Sequence, residues 1–169
     1  PLTGGITYLD LTDAVLTGDE VAYAALHDDN NYNFFYVSPT NKREKTTRAD
    51  GIDFSWYRND LTYAFSSMTN LKVVKMPKTL TTIGAFAFFE CENLEMVVIP
   101  ESVDSIGPYA FYHCRKITHV TTPNATKYGD FCFFEAGITS MSFPQGTKII
   151  PYQAMTGCPL TSVTVPSSV

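Results

Sequence analysis

One short pattern recurs along this chain at nearly constant intervals, and it limits the folds open to it more than any other feature. Aligned on a single proline, the segments are LKVVKMP ending at Pro77, LEMVVIP at Pro100, ITHVTTP at Pro123, ITSMSFP at Pro144 and LTSVTVP at Pro166, with steps of 23, 23, 21 and 22 residues. A second track keeps the same phase: Phe65, Phe88, Phe111, Phe133 and Met155, preceded by Ala64, Ala87, Ala110, Cys132 and Ala154. A third, three residues further on, reads Met68, Cys91, Cys114, Ala136 and Cys158. A fixed period of 20 to 50 residues marks a repeat architecture in which each unit buries its apolar side only against its neighbours, so the coils must stack.

Within one unit the hexamer before the proline has apolar first, fourth and sixth residues. That spacing fits a short strand whose third and fifth residues face solvent. Proline ends it, having no N–H to continue a ladder. The following Gly-x-x-Ala-Phe-x-x-Cys stretch, apolar every three or four residues, is expected to form one turn of α- or 3₁₀-helix, and its glycines are expected at corners that use positive φ.

The consensus [LI]-x-x-[VM]-x-[IVFMT]-P followed by I-G-x-x-A-F-x-x-C resembles the BspA-like, or Treponema-type, leucine-rich repeat family. Segments Leu71 to Asn93 and Leu94 to Lys116 match that pattern at almost every marked position. Ile117 to Gly137 departs with Cys132 for Ala, Ala136 for Cys and two residues fewer; Ile138 to Pro159 departs with Pro151 for Gly and Met155 for Phe. The expected fold is therefore α/β: a strand-rich leucine-rich-repeat solenoid, a right-handed superhelix of short strands and short helical turns. The resemblance implies cell-surface adhesion or recognition of host or bacterial macromolecules, and an extracellular or bacterial cell-surface location.

At 169 residues the chain suits a single domain. Residues 61–169 make four to five repeats of 21–23 residues, and residues 1–60 an atypical N-terminal capping coil. In that coil, Ile6, Leu9 and Leu11 repeat the strand hexamer, and an insertion runs from about 14 to 60. Within the insertion we expect a short helix over Gly18 to Leu26, a polar loop His27 to Asn33, an apolar run Phe34 to Val37, and Phe54, Trp56 and Tyr57 packing back on the solenoid. The chain opens with Pro1, which reads as a processed protein or an excised fragment. Leu160, Val163 and Val165 are expected on an end coil with an open edge, a place for end-to-end self-association.

A net charge of -5 argues against a nucleic-acid partner, which needs a clustered basic face. The one basic run, Lys42, Arg43, Lys45 and Arg48, reads as a solvated loop. No apolar stretch approaches the roughly 20 residues that span a bilayer. The four cysteines lack zinc-type spacing; Cys91, Cys114 and Cys158 share a core phase, and all four are expected to be reduced and buried. His27, His113 and His119 fall in different coils with no spacing that implies a triad, and His113 is expected to be exposed. His27-Asp28-Asp29-Asn30-Asn31 lacks the calcium-loop spacing and reads as a solvated turn, and the Asn124-Ala-Thr126 sequon marks a surface loop. No phosphate loop, paired-carboxylate signature or metal motif occurs, so no cofactor is expected.

The outward strand rows carry the functional signal. The third-position row reads Tyr8, Val73, Met96, His119, Ser140 and Ser162; the fifth reads Asp10, Lys75, Val98, Thr121, Ser142 and Thr164. Small hydroxyls fill one half. In the other, Val73, Met96 and Val98 form an apolar group that a monomer has little reason to expose. Tyr8, Val73, Lys75, Met96, Val98, His119 and Thr121 are thus the candidate residues for a protein or glycan partner. Two readings compete with that binding module: a spacer within a longer surface protein, and an enzyme with the insertion as a lid, supported only by His27 and Asp28.

Overall fold

A computed structural model describes residues 6–13 and 64–169. The expectations for residues 14–63 (the helix, the polar, apolar and basic segments, the aromatic anchors and the lid) lie outside the described residues. A described coil crosses the front face, turns at the proline, crosses the back, where three coils form a short strand, and returns through a run of tight turns. On the front, β1 (Tyr8–Asp10), β2 (Val73–Lys75) and β4 (Met96–Val98) form one parallel sheet in the order β1-β2-β4. Its register aligns Tyr8, Val73 and Met96, and then Asp10, Lys75 and Val98. The front ladder resumes where His119 bridges to Ser140 and β7 (Ser140–Ser142) pairs with β8 (Ser162–Thr164).

On the back, β3 (Thr82–Ile83), β5 (Ser105–Ile106) and β6 (Lys127–Tyr128) form a second parallel sheet, which the hydrophobic pattern did not announce. The Ile-Gly pair explains it. Ile83 and Ile106 point into the core, while the Gly107 and Gly129 amides donate to the Ile83 and Ile106 carbonyls of the preceding coil. These glycines are not left-handed; they permit close approach. A Cβ on Gly107 would lie 2.7 Å from the Ala85 nitrogen, and one on Gly129 2.2 Å from the Pro108 nitrogen. Pro151 holds the same phase in the next coil and has no N–H to donate, so the back sheet ends at β6.

The return segment is the main correction: the described residues contain no helix. Tight turns follow one another, with Ala87 N–H donating to Gly84 O, Phe89 to Phe86 O and Cys91 to Phe88 O. The intervening amides of Phe86, Phe88 and Glu90 point along the solenoid and donate to Pro108, Ala110 and Tyr112 of the next coil at 2.8–3.0 Å. A helix would direct every amide within the coil. Here alternate amides join coil to coil, which requires positive φ at Phe86 (57°) and Glu90 (56°), and likewise at Tyr109, His113, Phe131, Glu135 and Gln153.

The core is a stack of like residues: Leu71, Leu94, Ile117 and Ile138 in one row, Val74, Val97, Val120 and Met141 in another, all buried. Phe65, Phe88, Phe111 and Phe133 stack face to face at 5.0, 5.2 and 5.4 Å between centroids. The coil from Ile117 to Gly137 is irregular. Thr122 replaces the apolar sixth residue and Tyr128 the isoleucine, and their hydroxyls, both buried, bond to each other at 2.9 Å. That pairing spares the core an unsatisfied polar atom, and burial pushes the Tyr128 phenol up to about 12. Among the described residues no pairing joins β4 to the His119 bridge across this boundary.

All four cysteines are free. Cys91, Cys114 and Cys158 each donate S–H to the carbonyl of the preceding coil's Phe65, Phe88 and Phe133, at 2.9, 3.1 and 3.0 Å. Cys132, in the Ala phase, is fully buried, whereas Cys158 is only half-buried because it lies in the last coil.

Candidate functional site

The front face is built by alternation along each strand: Val74 and Val97 point inward, so the residues on either side of them point outward. Stacking coils in register then sets those outward residues in rows. Met96 is 53% and Val98 45% exposed, with Val73 half-buried beside Met96. An exposed Met and two valines on adjacent strands make one continuous apolar surface rather than scattered side chains.

At the N-terminal end of this surface, β1 adds a polar knot. Asp10 Oδ2 accepts from Lys75 Nζ at 3.0 Å and from the Tyr8 hydroxyl at 3.2 Å, and Asp10 Oδ1 accepts the Thr12 amide at 3.0 Å. Lys75 Nζ also lies over the Tyr8 ring, 5.7 Å from its centroid. The Thr12 hydroxyl and amide, then the Lys75 ammonium, hold the Asp10 carboxyl well below the usual range. Hydrogen bonds to Tyr8 and Asp10 raise the Lys75 ammonium in turn. Both groups stay ionised at neutral pH and neutralise each other.

At the other end the surface becomes hydroxylic. His119 and Thr121 are exposed, with His119 Nε2 3.3 Å from Thr121 Oγ1 and Nδ1 3.5 Å from Ser140 Oγ. Of the seven residues singled out, the sheet brings Tyr8, Val73, Lys75, Met96 and Val98 together by direct pairing, whereas His119 and Thr121 lie beyond the break after β4.

Sequence reasoning missed a second group. His113 is not exposed but only 19% accessible, between glutamates of the two neighbouring coils: Nε2 lies 3.3 Å from Glu135 Oε2 and Nδ1 4.0 Å from Glu90 Oε1. Arg115 donates to the same Glu135 oxygen at 3.0 Å. The signal was the phase itself, because Glu90, His113 and Glu135 recur at one position of the repeat. Flanking them are two outer aromatic ladders, Phe86–Tyr109–Phe131 at 4.8 and 4.9 Å and Phe89–Tyr112–Phe134 at 5.0 and 5.1 Å, all near-parallel. Tyr109 and Tyr112, in the middle of the two ladders, have both ring faces stacked, and Tyr152, 65% exposed, meets Phe131 edge-on beyond the first ladder. Among the described residues no group of three or more His, Cys, Asp or Glu is arranged to hold a metal. The sequon asparagine is already engaged, Asn124 Nδ2 donating to the Glu101 carbonyl at 2.7 Å. No helix among the described residues is long and apolar enough to cross a membrane.

The model of the BspA type leucine-rich repeat region matches residues 61–169 as six copies. Among solved structures, the chain is similar to a leucine-rich repeat protein from Bacteroides ovatus, at 30% identity and a TM-score of 0.60 over 62% of this chain and 28% of that one. It is likewise similar to the leucine-rich repeat protein of T. pallidum, at 28% identity and a TM-score of 0.60 over 62% of this chain and 50% of that one. The chain thus spans about a quarter to a half of the length of these solved relatives. No curated protein matches it significantly.

Proposed function

Because the chain belongs to the BspA type leucine-rich repeat family, whose solenoid fold serves as a protein-binding or structural module, we propose that it is an extracellular adhesion or recognition module that binds a macromolecular partner through its front sheet. The observation that carries this reading is the exposure of Met96 and Val98 on one strand, beside Val73 and the Tyr8–Asp10–Lys75 knot. Apolar side chains on a regular, rigid sheet supply the desolvated centre of a binding hot spot, and the polar groups around them supply its rim. His119 and Thr121 extend the surface toward the hydroxylic half. A spacer would gain only an aggregation hazard from such a patch.

The cell-surface setting and the adhesive role rest on family resemblance, since fold alone does not fix function. Catalysis has no comparable support on the front face, whose outward rows carry only the paired Asp10 and Lys75 and the lone His119 as titratable groups beside Tyr8. The end coil supports a second kind of contact, with another coil of the same type, because Val163 and Val165 are 45% and 52% exposed where their counterparts in inner coils are buried. The test of the main reading is a binding screen against extracellular matrix proteins and glycans with wild type and the Met96→Asp, Val98→Asp double variant. Both substituted residues point outward, so the variant is expected to keep the wild-type melting temperature and lose binding by about 30-fold or more, as for removal of a hot spot of about 2 kcal/mol. Equal binding by a folded variant would refute the site. Absence of any ligand for wild type would favour the spacer.

A further inference from the structure

We infer that the partner presents an uncharged, extended peptide segment, aliphatic at one end and hydroxyl- or amide-bearing at the other. This rests on the front-sheet reading above and goes on to specify the ligand's chemistry. The chain carries 12 basic and 17 acidic residues, yet only Asp10 and Lys75 stand on the two outward rows from β1 to β8. Those two are bonded to each other at 3.0 Å, so the face as a whole offers no uncompensated charge. Lys72 and Glu95 stand just outside the strands, at the rim, where an exposed charge contributes little to affinity.

A partner with a charged contact segment would have to desolvate that charge against a neutral face, which is unfavourable without a counter-ion. A neutral segment meets no such penalty. Its aliphatic side chains would cover Val73, Met96 and Val98, and its amides or hydroxyls would meet His119, Thr121 and Ser142. Sugar rings are disfavoured for a separate reason, since they stack on open aromatic faces. Tyr8 is the single aromatic residue on these rows, and Lys75 lies over its ring. The outer aromatic ladders stand off these rows, and so does Tyr152, 65% exposed and packed edge-on against Phe131.

The experiment is selection of a displayed random-peptide library on the immobilised protein, with a neutral-glycan panel run beside it. The expected peptides have net charge near zero and pair an aliphatic stretch with Ser, Thr, Asn or Gln. Their affinity changes less than about twofold between about 0.05 and 0.5 M salt, because no unpaired charges are brought together. Asp10→Asn leaves Lys75 uncompensated on the face and is expected to weaken these peptides; an acidic ligand would instead bind this variant more tightly. Charged peptides that bind in a salt-dependent way and are lost in the Met96→Asp, Val98→Asp variant would overturn the inference while leaving the front-sheet site standing. Neutral glycans bound in preference to peptides would overturn it too. Neutral peptides indifferent to the double variant would mean that the front-sheet reading itself is wrong.

Discussion

Phe111 lies between Phe88 and Phe133, 5.2 and 5.4 Å from their centroids and wholly buried, so neither neighbouring coil can move into the space it fills without breaking its own stack. Phe111→Ala should cost about 3–5 kcal/mol, measured by denaturant unfolding, because the cavity cannot collapse. The cysteines beside this stack obey a different rule. Burial, the largest cause, pushes the Cys91 thiol from 9.0 up to about 12 and the half-buried Cys158 thiol to about 11. The folded state therefore retains these protons where the unfolded chain, at 9.0, has released them. Stability is unaffected below about pH 9 and falls as pH rises from about 9 toward 12, at about 1.4 kcal/mol per unit for the buried Cys91 thiol and by less for Cys158, which solvent screens. In native protein at neutral pH, alkylation should reach Cys158 first and Cys91, Cys114 and Cys132 only after unfolding; rapid labelling of Cys114 would contradict the stack. The core phase of the cysteines was legible from the period. The S–H bond from Cys91 to Phe65 O was not, because it depends on which way each turn directs its carbonyls.

Between one coil and the next, the decisive contacts are made by the backbone, and here sequence reasoning was least complete. The front strands could be read from Val74, Val97 and the prolines that end them. The return segment could not: apolar residues three and four apart suit a helix, yet they suit equally a run of turns in which Ala87 and Phe88 pack inward and Phe86 and Phe89 form outer ladders. Only the long-range amide bonds, such as Phe88 to Ala110 O, decide between the two. Two substitutions probe this geometry. Gly129→Ala should destabilise by about 3 kcal/mol or more, since the new Cβ would meet backbone at 2.2 Å. Gln153→Gly should stabilise by up to about 1 kcal/mol, because Gln153 holds φ of 49°, where glycine carries no Cβ penalty. A helical return segment would reverse the sign of the second result, making both substitutions easily told apart in a thermal melt.

For the molecule as a whole, stability is a sum over neighbouring coils, so it should fall toward an end whose last coil has only one neighbour. Hydrogen exchange is expected to be slowest in β5 and fastest in β8, where Val163 is 45% exposed; uniform protection would show that the end coil is covered in solution. The solenoid and its outward rows could be read from the period, whereas the break between β4 and the His119 bridge could not, because the hexamers on its two sides, LEMVVI and ITHVTT, keep the same phase and spacing. The direction of the coil-to-coil hydrogen bonds carries one more consequence. They run along the stacking axis, so a pull on the two ends loads them in tension, a few at a time, instead of shearing a whole strand at once. Under such a load the protein should yield coil by coil at low force, each step releasing one repeat of 21–23 residues, or about 75 Å of extended chain. Stretched along its axis, it would behave as an extensible cord whose front face is lost one coil at a time.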